Sequence, residues 1–218
     1  MFVLSTMRSL AATMLLGGAL ACGPSAGGGM VSVPPPAGWE DRIATARAER
    51  DRAFRENSDT PLLPEDLATF TGLDYWSADP KYRFVGDLED YDEVERFEIA
   101  TTAGKVRDCE KYGRVTFSVD GKRLTLQVYR LTDTGEGGGL FLPFTDRTSG
   151  IETYPAGRYV DLQGEPGGLY VLDFNEAYNP SCAYGAPERF ACPVAPRENR
   201  LDVRIEAGER GYKKHRSG

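Results

Sequence analysis

From Gly113 to Tyr129 the chain reads GRVTFSVDGKRLTLQVY, and apolar and polar residues alternate on both sides of an Asp-Gly pair. Val115, Phe117 and Val119 share one parity before the pair, and Leu124, Leu126 and Val128 share one after it. A period of two is the mark of a strand with one buried face. Asp120-Gly121 suits a two-residue type I′ turn, because both residues tolerate positive φ. That turn predicts the pairs Val119–Lys122, Phe117–Leu124 and Val115–Leu126, with every apolar side chain on one face. A slip of one residue would turn the whole set toward water.

The same alternation recurs in shorter runs. YRFVGDL, VERFEIATT, GLFLPF, GRYVDL, GLYVLDF and RLDVRIEA are strand candidates, separated by turn residues rich in Gly and Pro. No stretch between them has the length and period of a βαβ crossover helix. The expected fold is mainly β, an antiparallel barrel or sandwich, and GEGGG at 135–139 reads as a flexible loop. A helical period appears once, in GWEDRIATARAERDRAFRENSD, where Trp39, Ile43, Ala46, Ala53 and Phe54 fall near one face. Pro61 and Pro64 follow its end, and PEDLATFTGL offers one further short helical turn.

The N-terminus changes the picture of where the domain works. Arg8 precedes the apolar run LAATMLLGGALA, which is too short to cross a bilayer and has the form of a signal sequence. Ala19-Leu20-Ala21-Cys22 resembles a lipobox, with Ala19 standing where Leu is usual. A lipid anchor at Cys22 is expected, with an ordinary cleaved signal and a secreted, soluble protein as the alternative. The expected organisation is a signal peptide at 1–21, a flexible Gly/Pro tether at 22–37, one β-rich domain at 38–210 and a basic disordered tail at 211–218. The expected location is the bacterial cell envelope, facing periplasm or exterior, with the membrane as partner through the anchor.

Charge excludes one class of partner. The chain has 26 basic and 33 acidic residues, a net charge of −7, and no basic stripe. Nucleic acid is therefore not an expected partner. Export also changes the reading of the cysteines: in an oxidising compartment Cys182 and Cys192, ten residues apart among turn residues, form the natural disulfide. Cys109 is left over, as a free thiol or an intermolecular partner.

Two long segments carry a resemblance. FLPFTDRTSGIETYPAGRYVDL contains F-x-D-x-T-x-G-x-x-T-Y-x-x-G-R-Y from Phe144 to Tyr159. D-F-N-x-A-Y-N-P-x-C follows at Asp173 to Cys182, then Cys192-Pro193, E-N-x-L at Glu198 to Leu201, and Ala207-Gly208-Glu209. This string, with FTGLDYWSADPKYRF upstream, resembles the bacterial and archaeal domain-of-unknown-function family 1684 over roughly residues 40 to 210. The resemblance implies membership and no activity, so function rests on the residues themselves.

Those residues are Asp146, Thr148, Tyr154, Arg158, Asp173, Asn175, Tyr178 and Asn179. Asp146 and Asp173 could divide acid and base roles if their environments differed. Arg158 could grip a carboxylate, and Asn175 or Asn179 could hold an oxyanion. Equally, Asp146 before Thr-Ser-Gly suits a turn, and an Arg–Asp pair can brace a loop. Tyr154, Tyr159, Tyr170, Phe174, Tyr178 and Tyr184 could rim a ligand pocket or pack as core.

His215, the single histidine, lies in the basic tail, so a positioned imidazole for a Ser-His-Asp or Cys-His centre is missing. His-based zinc and iron sites go with it, a ten-residue Cys spacing fits no zinc module, and Ala177 breaks a calcium loop. No cofactor or metal is expected. A non-catalytic ligand-binding or envelope-associated module is the leading expectation. An enzyme working without His and a purely structural, disulfide-stapled module are the alternatives.

Overall fold

A computed structural model describes residues 28–133, 139–165, 167–185 and 189–212. The expected signal segment, Cys22, most of the Gly-rich run at 135–139 and residues 213–218 of the tail lie outside them. Nine strands are described: β1 (Val31–Ser32), β2 (Arg83–Gly86), β3 (Glu89–Ala100), β4 (Val106–Val119), β5 (Lys122–Leu131), β6 (Leu140–Phe144), β7 (Arg158–Asp161), β8 (Gln163–Gly164) and β9 (Tyr170–Asp173). They form two antiparallel sheets, ordered β1-β2-β9-β8 and β3-β4-β5-β6-β7. Neither closes into a barrel among the described residues, so the fold is sandwich-like.

The β4–β5 hairpin has the predicted register, with Val119 opposite Lys122, Phe117 opposite Leu124 and Val115 opposite Leu126. Asp120 and Gly121 have φ of 50° and 75°, the two positive values that a type I′ turn requires. The inward face of this hairpin meets Phe84 and Leu172 from the other sheet, with Leu142, Phe144 and Phe174 filling the space between. β3 is the outer strand of its sheet, and Glu89, Asp90, Asp92, Glu93, Glu95 and Glu98 line it. Charge along an edge strand keeps a second sheet from adding to it.

Helix α1 (Trp39–Glu56) is the predicted amphipathic helix, and Trp39, Ile43 and Phe54 are its buried residues. A second helix of one turn, α2 (Pro64–Leu67), follows with Pro64 at its first position, where a missing N–H costs nothing. Phe54 and Leu62 join Phe70, Tyr154, Tyr184 and Tyr212 in a second apolar cluster beside the sandwich.

Three boundaries differ from the sequence reading. The segment expected to be flexible up to residue 37 is partly built into the fold: Met30 is 4% exposed in the core, and Val31 and Ser32 pair with Val85 and Phe84. The proline run that follows hid this short edge strand. Of the tail expected at 211–218, Tyr212 belongs to the fold, because it is packed against Tyr184. RLDVRIEA is not a strand. Leu201, Ile205 and Ala207 are buried, as the alternation suggests, but Ile205 and Ala207 bond through their backbones to the side chains of Asp146 and Arg158, and Gly208 and Glu209 reach the backbones of Trp76 and Ala177 by single bonds instead of a strand ladder.

Cys109 is 2% exposed, in a cluster with Ile99, Tyr129, Phe141 and Tyr159, and burial pushes its thiol up to about 11. A thiol so enclosed and so rarely ionised is a poor partner for another chain. In the native protein a thiol reagent such as DTNB should label Cys109 only after denaturant is added. Rapid labelling without denaturant would contradict the packing.

Candidate functional site

The family-like signature residues divide into two sets, one buried in bracing networks and one facing a cleft. Asp146 follows β6 and folds its carboxylate back on its own turn. Its Oδ1 accepts from the Thr148 amide at 3.3 Å, the Thr148 hydroxyl at 2.7 Å and the Ser149 hydroxyl at 3.2 Å. Its Oδ2 accepts from the Ile205 amide at 2.6 Å and lies 3.5 Å from Arg158 Nη2.

Arg158 opens β7 and is 1% exposed. Its Nη1 donates to the carbonyls of Ala207 at 2.6 Å and Glu209 at 3.2 Å, and its Nη2 to that of Ile205 at 2.9 Å. The guanidinium also lies over the rings of Phe144 and Trp76, at 5.1 and 5.3 Å. Burial lowers its proton affinity and the Asp146 carboxylate opposes that, but a guanidinium in a protein stays charged. Its fork is therefore spent on holding the chain from 205 to 209. Gly208 in this segment has φ of +73°, and a Cβ there would come within 2.6 Å of the carbonyl oxygens of Phe174 and Ala177. That close approach explains the Ala-Gly-Glu signature.

Asp173 ends β9. Its Oδ2 accepts from the Trp39 indole at 2.7 Å, and its Oδ1 from the Asn175 amide at 3.0 Å and Asn175 Nδ2 at 2.8 Å. Asn175 exchanges bonds with the backbone of Asp79, accepting from its amide at 2.8 Å and donating to its carbonyl at 2.9 Å. These two residues fasten α1 and the chain at 79 to the end of a strand. Tyr154 belongs to the second apolar cluster, and the Thr148 hydroxyl meets that of Thr153 at 3.0 Å.

Asn179 bridges the two sets. Its Nδ2 donates to Glu209 Oε1 at 3.0 Å and to the Arg210 carbonyl at 2.8 Å, and its amide to Glu209 Oε2 at 3.2 Å. Glu209 is 1% exposed, and the Tyr184 hydroxyl also donates to it. Arg50 of α1 reaches the same carboxylate, with Nε 3.4 Å from Oε2. Burial pushes the Glu209 carboxyl upward against the pull of Arg50.

A cleft of about 770 Å³ opens beyond this network. β7 is the outer strand of its sheet, and the segment after β9 docks on it through reciprocal bonds between the backbones of Tyr159 and Tyr178, at 2.9 and 3.0 Å. Phe141, Tyr159 and Tyr178 then stand in sequence along the wall, with ring centroids 5.7 and 5.8 Å apart in edge-to-face pairs. The Tyr159 hydroxyl is held by the Pro193 carbonyl. The Tyr178 hydroxyl donates to Asp161 Oδ1 at 3.1 Å, and Arg50 lies 5.1 Å over the Tyr178 ring. Surrounding protein raises the Asp161 carboxyl, while the Tyr178 hydroxyl holds it back.

The opposite side of the cleft is the loop closed by a Cys182–Cys192 disulfide, with Cα atoms 6.3 Å apart, as its sequence context suggested. The Thr102 amide donates to the Cys192 carbonyl at 3.0 Å and seats the loop on the sheet. Arg107 and Arg189 complete the rim. Among the described residues no group of three His, Cys, Asp or Glu side chains is placed to hold a metal ion.

Of the eight sequence candidates, Tyr178 and Asn179 line this cleft. Asn175 lines a smaller recess of about 170 Å³ behind it, with Arg47 and Tyr75. Asp146 and Arg158 share one buried network and Asp173 belongs to another, and none of the three lines the cleft. The sequence reading missed Arg50, Arg107, Asp161 and Arg189. Asp161 alone had a readable signal: it lies two residues beyond Tyr159 on one strand, and so on the same face.

No curated protein matches the chain. A solved structure does: the solution NMR structure of an uncharacterized protein of Haloarcula marismortui is 34% identical, with a TM-score of 0.63, covering 81% of this chain and 96% of that one. A family model described as "Protein of unknown function (DUF1684)" matches residues 68–210, a span that includes the signature segments, their bracing networks apart from Trp39 and Arg50, and most of the cleft, and the chain belongs to that family.

Proposed function

We propose that the protein is a non-catalytic ligand-binding module of the cell envelope, anchored through Cys22, and that its ligand enters the cleft beside Tyr178. The observation that carries this reading is the composition of the cleft. At about 770 Å³ it lies within the range of small-molecule sites, and a run of three aromatic rings faces a few fixed polar groups. The acid–base alternative based on Asp146 and Asp173 has lost its support. Each carboxylate already accepts several short bonds from structural partners, and neither faces the cleft.

The export part of the reading rests on the N-terminal sequence alone. Cys22→Ala should move the protein from the membrane to the soluble fraction, and an unchanged distribution would remove the anchor. For the cleft, backbone amide NMR spectra should be recorded while a small-molecule fragment library is added. Shifts clustering at Phe141, Tyr159, Asp161 and Tyr178 are expected. Fragments that bind only elsewhere, or none that bind, would overturn the reading.

A further inference from the structure

We propose that the cleft takes an anion carried on a flat apolar body, such as an aromatic carboxylate. This deepens the binding reading above and rests on it. The first ground is an excess of hydrogen-bond donors over acceptors around the cleft. Among the described residues three guanidinium groups line it, each with five N–H donors, against the single carboxylate of Asp161.

The three arginines are only partly used. Arg107 gives Nε and Nη2 to Asp133, at 2.8 and 2.7 Å, which occupies one edge of its fork. Arg50 turns Nε toward Glu209 and shares Nη2 between the Asn179 carbonyl at 3.2 Å and the Tyr184 hydroxyl at 3.3 Å. Arg189 gives Nη1 to the Thr60 carbonyl at 3.2 Å and, among the described residues, has no carboxylate partner. Asp133 and Glu209 thus balance Arg107 and Arg50 in charge, yet each fork has nitrogen left for a further acceptor. A planar oxyanion matches that fork in shape as well as charge.

The acceptor side is weaker. Asp161 already receives the Tyr178 hydroxyl, which uses part of its accepting capacity. An ammonium ligand, which an aromatic wall could otherwise attract, would meet three guanidinium groups and one half-satisfied carboxylate. The second ground is the wall itself. The half-buried rings of Tyr178 and, across the cleft, Phe190, backed by the largely buried Phe141 and Tyr159, offer apolar surface that an inorganic anion would leave in contact with water.

The test uses the full chain and three probes followed by calorimetry and amide NMR: 2-naphthoate, its neutral relative 2-naphthalenemethanol, and inorganic phosphate. Naphthoate should bind at the cleft about tenfold or more tightly than the alcohol, and phosphate should bind more weakly than naphthoate. Arg189→Gln should weaken naphthoate by about tenfold and leave the alcohol unchanged. Phe190→Ala should weaken both aromatic probes alike. Added salt should affect naphthoate only.

Equal binding of naphthoate and alcohol at the cleft would overturn the anion assignment while the binding reading stood. Phosphate binding as tightly as naphthoate would overturn the requirement for a flat body. Absence of shifts at the cleft with all three probes would overturn this proposal, while fragments of other chemistry binding there would still uphold the cleft as a site.

Discussion

Replacing Arg158 by methionine should destabilise the protein by roughly 3–5 kcal/mol, a large share of the stability of a domain this size. The change leaves the buried Asp146 carboxylate without its cation and takes the donor from three carbonyls, those of Ile205, Ala207 and Glu209. Each buried acceptor left unpaired adds a desolvation cost of its own. Arg158→Lys should recover only part of the loss, because one ammonium cannot span the positions that the fork bridges. Joining Asp146→Asn to Arg158→Met should be less costly than the sum of the two, since the unpaired charge disappears. Urea unfolding at neutral pH measures the parent, the three single variants and the double. A single variant within about 1 kcal/mol of the parent would show that the pair does not hold the C-terminal segment.

Phe174→Ala should cost a similar amount, about 3–5 kcal/mol. This Phe is fully buried, and its ring meets those of Phe144, Phe117 and Phe84 at centroid distances of 5.2, 5.4 and 6.3 Å. It thus fills the centre of the sandwich from a loop rather than from a strand. Truncation leaves a cavity among rigid rings from both sheets, which can relax little. Phe174→Leu conserves most of the volume and should cost about half as much or less. Thermal and denaturant unfolding report both. Parity between the two variants would mean that the rings close over the gap.

The fold was largely legible because its strongest signals are local. The β4–β5 register follows from two parities and an Asp-Gly turn, and α1 from one stripe of apolar residues. RLDVRIEA shows the limit of such reasoning: alternation reported correctly that Leu201, Ile205 and Ala207 turn inward, but it cannot say what their backbone binds. For Ile205 and Ala207 the answer was Arg158 and Asp146, some fifty residues earlier in the chain, and for Leu201 the Thr145 carbonyl. The signature residues stood out for the same reason that their role did not. A buried Arg–Asp pair and a catalytic one have the same letters, and only their partners separate them. The cleft had almost no linear signal, since Arg50, Arg107, Asp161 and Arg189 come from a helix, two strands and a loop.

The small strand β1 sets a distance. With Met30 already seated in the core, it lies eight residues beyond Cys22, and those eight steps, even fully extended, reach no more than about 29 Å. A lipid at Cys22 would therefore hold the domain on a short leash, within about one domain diameter of the bilayer surface. A receptor so anchored could not patrol the space beyond its membrane. Its ligand would have to come to it, by diffusing to the surface, leaving the bilayer or being handed over by a neighbour.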